Sequence, residues 1–170
     1  MSESLVLHYN IVQNRTIIGE DMAFWEKQRI IKNLYELYAK PIREKYDLTQ
    51  MEYSILLFLY RNPDCDTASA IVRISQFTKS HVSTATKKLE ERGLITGEHE
   101  GNNNKTIHLR LTDLAEKILQ EAADATERYK KCLFNGFSGE ELQQMRHYFG
   151  RICENAESKL QNLEEEKKDA

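Results

Sequence analysis

From Thr78 to Gly93 the chain reads TKSHVSTATKKLEERG, and directly afterwards its apolar residues change from helical spacing to alternation. At helical period Val82, Ala85 and Leu89 share one face with Thr86 beside them. Lys79, Ser80, His81, Ser83, Thr84, Lys87 and Lys88 fall on the other faces. Thr78 is placed to cap the first turn, and Gly93 is where such a helix stops. Two short stretches follow, LITGEHE and KTIHLRL, around a Gly/Asn-rich turn. Ile107, Leu109 and Leu111 alternate with His108 and Arg110, as in a half-buried strand. A short helix with a narrow apolar stripe, followed at once by a two-stranded ribbon, leaves few architectures open.

The preceding residues narrow them further. RNPDCD (Arg61 to Asp66) is a turn, with Asp66 expected to cap a short helix through Ile74, and 75–77 link that helix to Thr78. Helix, turn, helix and ribbon make a winged helix-turn-helix, with the Lys-, Ser- and Thr-bearing helix as the recognition element. The wing tip, Asn102, Asn103, Asn104 and Lys105, is placed to reach the adjacent minor groove or backbone. Upstream, Thr49 and Glu52 have capping-box spacing and open YSILLFLY, a segment apolar almost all round that belongs in the core. From Asp21, Phe24, Trp25, Ile30, Ile31, Leu34, Tyr35, Leu37 and Tyr38 recur at threes and fours, which predicts a long amphipathic helix, kinked or broken at Pro41. Residues 1–20 include LVLHYNIV, apolar enough for an arm packed on a partner.

Downstream, Thr112 is expected to cap a helix from Asp113 to about Asn135, and SGEE at Ser138 to Glu141 is a second capping box. In the last helix Leu142, Met145, Phe149, Ile152, Ala156 and Leu163 follow an a/d pattern longer than a wing domain needs, which predicts packing against a second chain. The fold class is therefore mainly α with a small β wing: a winged helix-turn-helix (49–112) between an N-terminal arm and dimerisation helix (1–48) and C-terminal dimerisation helices (113–170), in one compact unit.

The formal net charge of the 170 residues is −3, which by itself argues against a nucleic-acid partner. Its distribution argues the other way: Arg73 to Arg92 holds five Lys or Arg and two Glu, a local +3 on a body carrying −6. Lysine charge beside Ser and Thr hydroxyls suits phosphates and base edges. Candidate DNA-binding residues are thus Lys79, Ser80, His81, Ser83, Thr84, Lys87 and Lys88, with Asn103, Asn104 and Lys105 on the wing. A Ser80–His81 nucleophile is excluded because adjacent helical residues point apart, and no carboxylate pair, nucleophile elbow or phosphate loop predicts an enzyme. The histidines (His8, His81, His99, His108, His147) lack metal-ligand spacing, so neither a metal nor a cofactor is expected. Three cysteines without CxxC spacing, no apolar run of about 18 residues and no signal-peptide pattern fit a cytoplasmic protein that does not enter a membrane. The three thiols, Cys65, Cys132 and Cys153, read as buried or incidental rather than as redox sensors, and Cys65, in a turn, is the one to test for exposure.

With LTQMEYSILLFL, TKSHVSTATKKLEERGLI and the wing ending IHLRLTDLAEK, the order of elements resembles the MarR family of bacterial transcriptional regulators over roughly residues 22–160. The resemblance implies a homodimer whose terminal helices interlock, two winged helices on one DNA duplex, and repression relieved by a small molecule. It also places the effector beside Tyr35, Tyr38 and Tyr53, whose hydroxyls suit a small aromatic, phenolic or carboxylate ligand. The chain departs from the family pattern at the wing, where Asn103 and Lys105 stand in place of the usual Asp and Arg, so that ion pair cannot form. Thr84 stands where the family often has Arg, which leaves base reading to hydroxyls and His81. The weakened wing motivates an alternative, a winged-helix protein-interaction module with weak or lost DNA binding.

Overall fold

The computed structural model describes residues 23–99 and 106–168. Along them run α1 (Ala23–Lys45), α2 (Gln50–Arg61), α3 (Ala68–Ser75), α4 (Lys79–Glu91), β1 (Ile95–His99), β2 (Ile107–Leu111), α5 (Asp113–Leu133) and α6 (Gly139–Lys168). The arm at 1–20, the side chain of Trp25 and the wing-tip residues Asn102, Asn103, Asn104 and Lys105 lie outside what is described. The chain divides into two compact units between Lys130 and Lys131.

In the first unit the core gathers on α2, whose Tyr53 and run from Ile55 to Leu59 are buried, as its nearly continuous apolar sequence requires. Ile71 of α3, Val82, Ala85 and Leu89 of α4, Ile95 and Leu109 of the wing, and Ala115, Ile118, Leu119 and Ala122 of α5 close around it. Each large aliphatic side chain removed from water there is worth roughly 1.5–3 kcal/mol. α1 contributes Ala39 and Ile42. It does not break at Pro41: the helix runs on to Lys45. The carbonyl of Leu37 loses its intrahelical donor there, but Leu37 and Pro41 both lie on the exposed side, where water can serve it.

Caps set the helix starts. Glu52 N–H donates to Thr49 Oγ1 (3.2 Å) while Thr49 N–H donates to Glu52 Oε2 (2.9 Å), the reciprocal box that opens α2. Asp66 does not cap α3; Thr67 does, accepting from Ala70 N–H at 3.1 Å. The Asp66 carboxylate is occupied elsewhere, by His108 and Arg110 of β2. α3 ends on Gln76 in the left-handed region (φ 55°), and Thr78 caps α4 through His81 N–H. Gly93, at φ +67°, turns the chain from α4 into the wing.

β1 and β2 pair antiparallel, Ile95 with Leu111 through His99 with Ile107. Thr67 bridges His108 on the free edge of β2. The expected alternation holds at Leu109, which is buried, but Ile107 is 50% exposed because it faces the groove described below. Thr112 uses its hydroxyl differently from a cap, donating to the Gly93 carbonyl at 2.7 Å and so tying the start of α5 to the end of α4. α5 stops at Leu133, two residues short of the expected Asn135.

The second unit is chiefly α6. Its box is formed as read: Ser138 N–H donates to Glu141 Oε2 (2.7 Å) and Glu141 N–H to Ser138 Oγ (3.2 Å). Along it Met145, Tyr148, Phe149, Ile152, Leu160 and Leu163 are exposed in the single chain, Phe149 at 65%. No helix among the described residues is long and apolar enough to cross a membrane.

Candidate nucleic-acid interface

The geometry of α4 follows from its two compositions. Val82, Ala85 and Leu89 are buried against α2 and α3, which fixes the rotation of the helix about its own axis. With that face turned inward, 100° per residue sends Ser80, Lys87, Glu91 and Thr84 most directly outward, with Ser83 close beside them. Lys79 and Glu90 then flank the outward face on one side, His81 and Lys88 on the other. All seven polar residues singled out on this helix, Lys79, Ser80, His81, Ser83, Thr84, Lys87 and Lys88, are exposed. Thr86, at the edge of the core, bonds back to the Val82 and Ser83 carbonyls instead.

Charge is graded along the helix. The first turn holds no acidic residue, and Thr78 satisfies only the His81 amide, so the N-terminal end keeps the positive pole that anions favour. The last turn carries Glu90 and Glu91 together with Lys88. Lys87 Nζ lies 3.9 Å from Glu91 Oε1 with both side chains well exposed, a pair that contributes little and leaves the lysine available. A polyanion is thus attracted to the N-terminal end and to Lys87 and Lys88, and repelled by the two glutamates that follow them.

Between α4, α3 and the wing lies a groove of about 710 Å³. Lys79, Ser83, Lys87 and Glu90 line its α4 side, Ser69, Val72 and Arg73 its α3 side, and His99, Ile107 and Leu109 the wing. Arg73 entered the sequence reading as charge but not as a site residue. The signal that could have placed it was its position in the last turn of the first helix of a helix-turn-helix, beside the recognition helix. Arg92 goes the opposite way. Counted within the basic segment, it donates from Nη1 to the Asp47 carbonyl (2.7 Å) and from Nη2 to the Tyr46 carbonyl (2.6 Å), with Glu52 Oε2 at 3.8 Å. Its charge clamps the C-terminal end of α4 to the α1–α2 turn.

That turn is itself held to α5. Tyr46 Oη donates to Glu121 Oε1 at 2.8 Å, and Lys45 Nζ reaches both Glu121 oxygens at 2.7 and 2.8 Å. The hydrogen bonds from Lys45 and then Tyr46 lower the Glu121 pKa below its ordinary value. The contact is mutual, and bonding to Glu121 raises the Lys45 pKa.

The tyrosines divide. Tyr53 is 2% exposed, and burial, followed by its interaction with Tyr35, raises its pKa. Tyr35 and Tyr38 are half-buried and meet the Tyr129 ring edge-on at 5.4 and 6.1 Å. Tyr35 lines a pocket of about 240 Å³, together with Ser54, Phe58, Arg61 and Phe77. Cys65 is half-buried against the core, Cys153 is half-buried, and Cys132 is exposed. Among the described residues no cluster of His, Cys, Asp or Glu could hold a metal ion.

Comparison with known proteins bears on the same region. A family model described as "MarR family" matches residues 46–103. The HTH-type transcriptional regulator Hpr of Bacillus thuringiensis (strain Al Hakam) is 28% identical over 138 residues, 79% of this chain and 66% of the relative's length. A MarR-family transcriptional regulator from Listeria monocytogenes, complexed with 26mer DNA, superposes with a TM-score of 0.66 at 18% identity, covering 79% of this chain and 89% of that one. The MepR–DNA complex of S. aureus gives 0.66 at 21% identity, covering 81% and 99%. At those identities the superpositions speak for the fold, a winged helix with long flanking helices.

Proposed function

We propose that this chain, a MarR-family protein by the match over residues 46–103 and by its winged-helix fold, is a transcriptional regulator that binds double-stranded DNA. The observation that carries the reading is the state of α4. Its apolar stripe is fully spent on the core while its hydroxyls and three lysines stand in solvent beside a wing. In this reading Ser80, Ser83 and Thr84 meet base edges in the major groove. Lys79 and Lys87 serve the phosphates on the wing side, and Lys88 with His81 those on the other. Asn103, Asn104 and Lys105 extend the contact into the minor groove.

The working unit is a homodimer. The exposed stripe on α6 supports it, since Phe149 and Ile152 are costly to leave in water and follow a packing repeat. Two recognition helices then read a pseudo-palindrome with half-sites about one helical turn apart. The protein acts as a repressor released by a small aromatic or phenolic effector. The pocket beside Tyr35 supports that part, offering ring faces and the Arg61 guanidinium to such a ligand. A ligand preferring one spacing of the two helices shifts the population away from the DNA-competent dimer.

Footprinting the purified protein on the intergenic DNA upstream of its own coding sequence tests the reading. Two protected segments about one turn apart at sub-micromolar protein are expected. Protection no stronger than on unrelated DNA would sink it and leave the protein-interaction module standing.

A further inference from the structure

Asp66 is a nearly buried carboxylate that recognition of DNA by α4 does not use. It sits in the turn before α3. Its Oδ1 lies 2.8 Å from His108 Nδ1 and its Oδ2 2.8 Å from Arg110 Nη1. Its own carbonyl accepts Leu109 N–H at 2.7 Å, and Thr67 next to it bridges His108. One residue therefore engages three successive positions of β2. Side-chain alternation makes this workable: His108 and Arg110 share a face, and Leu109 points the other way into the core.

Two physical facts raise the importance of this contact. A two-stranded ribbon is marginal in water without something to pack on, and among the described residues Asp66 and Thr67 meet β2 on its outer edge. A carboxylate withdrawn from water is retained where partners meet both oxygens, as here, where one partner is the Arg110 guanidinium and the other the His108 ring. Across the ribbon Glu98 stands opposite His108 and Thr96 opposite Arg110, so the only acidic side chain facing this pair from β1 is Glu98. The tip, with Asn103 and Lys105, has no Asp–Arg pair to offer.

We infer that Asp66 is the positioning residue of the wing, holding β2 by its root against the helix-turn-helix and so setting where the wing meets DNA. The inference rests on the DNA-binding reading above. Asp66 touches no nucleic acid; it acts through His108 and Arg110.

The test compares wild type, Asp66→Asn, Arg110→Gln and the double variant. Hydrogen–deuterium exchange over 95–111 and 79–91 reports the wing and α4 separately. Fluorescence anisotropy reports binding to the footprinted duplex and to one trimmed of the flanks that a wing would reach. Asp66→Asn is expected to speed exchange in 95–111 but not in 79–91. It should weaken binding to the long duplex about tenfold, the scale of one charge-assisted hydrogen bond. The trimmed duplex should be bound equally by wild type and variant, and the double variant should bind the long duplex no worse than Asp66→Asn. If Asp66→Asn does not fold, Arg110→Gln carries the test, because Arg110 is half exposed and its loss leaves the His108 contact in place. Equal weakening on both duplexes, or faster exchange with unchanged binding, overturns the inference. If wild type binds neither duplex, the DNA-binding reading fails by itself; exchange over 95–111 then decides separately whether Asp66 holds the wing.

Discussion

Replacing Lys87 and Lys88 with alanine should change how DNA binding depends on salt, by an amount the geometry bounds. The two side chains leave α4 about 100° apart, Lys87 outward and toward the wing, Lys88 toward the opposite flank. Neither packs into the core, and among the described residues the ion pair involved, Lys87 with Glu91, is long and exposed. Folding stability should therefore move by no more than about 0.5 kcal/mol. Each lysine that neutralises a phosphate releases counterion and contributes up to roughly 0.9 to the slope of log K against log salt. Two lysines in each of two protomers give up to about 3.6. Between 50 and 200 mM salt, that difference alone makes the wild-type complex lose roughly 150-fold more affinity than the variant.

The assay is fluorescence anisotropy at four or more salt concentrations, on the specific duplex and on an unrelated one of equal length. Affinity should fall on both by similar factors, because phosphate contacts carry no sequence information. A Lys87→Arg, Lys88→Arg variant should keep the wild-type slope. A slope unchanged by the alanines would remove this face of α4 from the interface, and with it the assignment of α4 as the recognition helix.

Thr49→Ala removes one half of the capping box of α2 and should cost about 1 kcal/mol in urea denaturation without altering DNA specificity. Leu89→Ala hollows the contact that sets the rotation of α4; a loss of roughly 2–5 kcal/mol by the same measurement is expected. Glu121→Gln tests the α1–α5 link through pH. Because the Glu121 pKa is lowered in the folded chain by Lys45 and Tyr46, its stabilisation is present above the ordinary carboxyl value of 4.5 and is lost as pH falls through the folded pKa. Thermal melts across that range should therefore decline less steeply for Glu121→Gln than for wild type, and parallel curves would discount the link.

What the sequence made legible was whatever depends on neighbours in the chain. The capping boxes at Thr49 and Ser138, the buried stripe of α4 and the strand pair all follow from spacing and local hydrogen bonding. What escaped depends on contacts between distant residues. Asp66 has the right chemistry for a cap, and nothing local says that His108 and Arg110, more than forty residues on, occupy its oxygens. Thr112 likewise precedes a helix, yet its hydroxyl goes to Gly93. Tyr53 and Tyr35 look alike as phenols on helices; only packing separates a core residue from one lining a pocket.

The same distinction governs how the positive charges are used. Arg43 pairs with Glu36, Arg92 grips two backbone carbonyls and Arg110 meets Asp66, so three guanidinium groups are consumed inside the protein. A planar fork of donors suits such fixed, multiple acceptors, and an ammonium group cannot reproduce it. The recognition helix is left with lysines, and Arg73 at the rim of the groove is the guanidinium that faces the same side. Lysine is a point charge, effective for phosphate but poor at the paired acceptors of guanine. On the proposed reading, affinity built this way should be largely electrostatic and fall steeply with salt, while discrimination among sequences should rest on Ser80, His81, Ser83 and Thr84, each making at most single contacts. The ratio of specific to unrelated binding should then sit near the lower end of the range for DNA regulators, about 10³, and vary little with salt even as both affinities collapse.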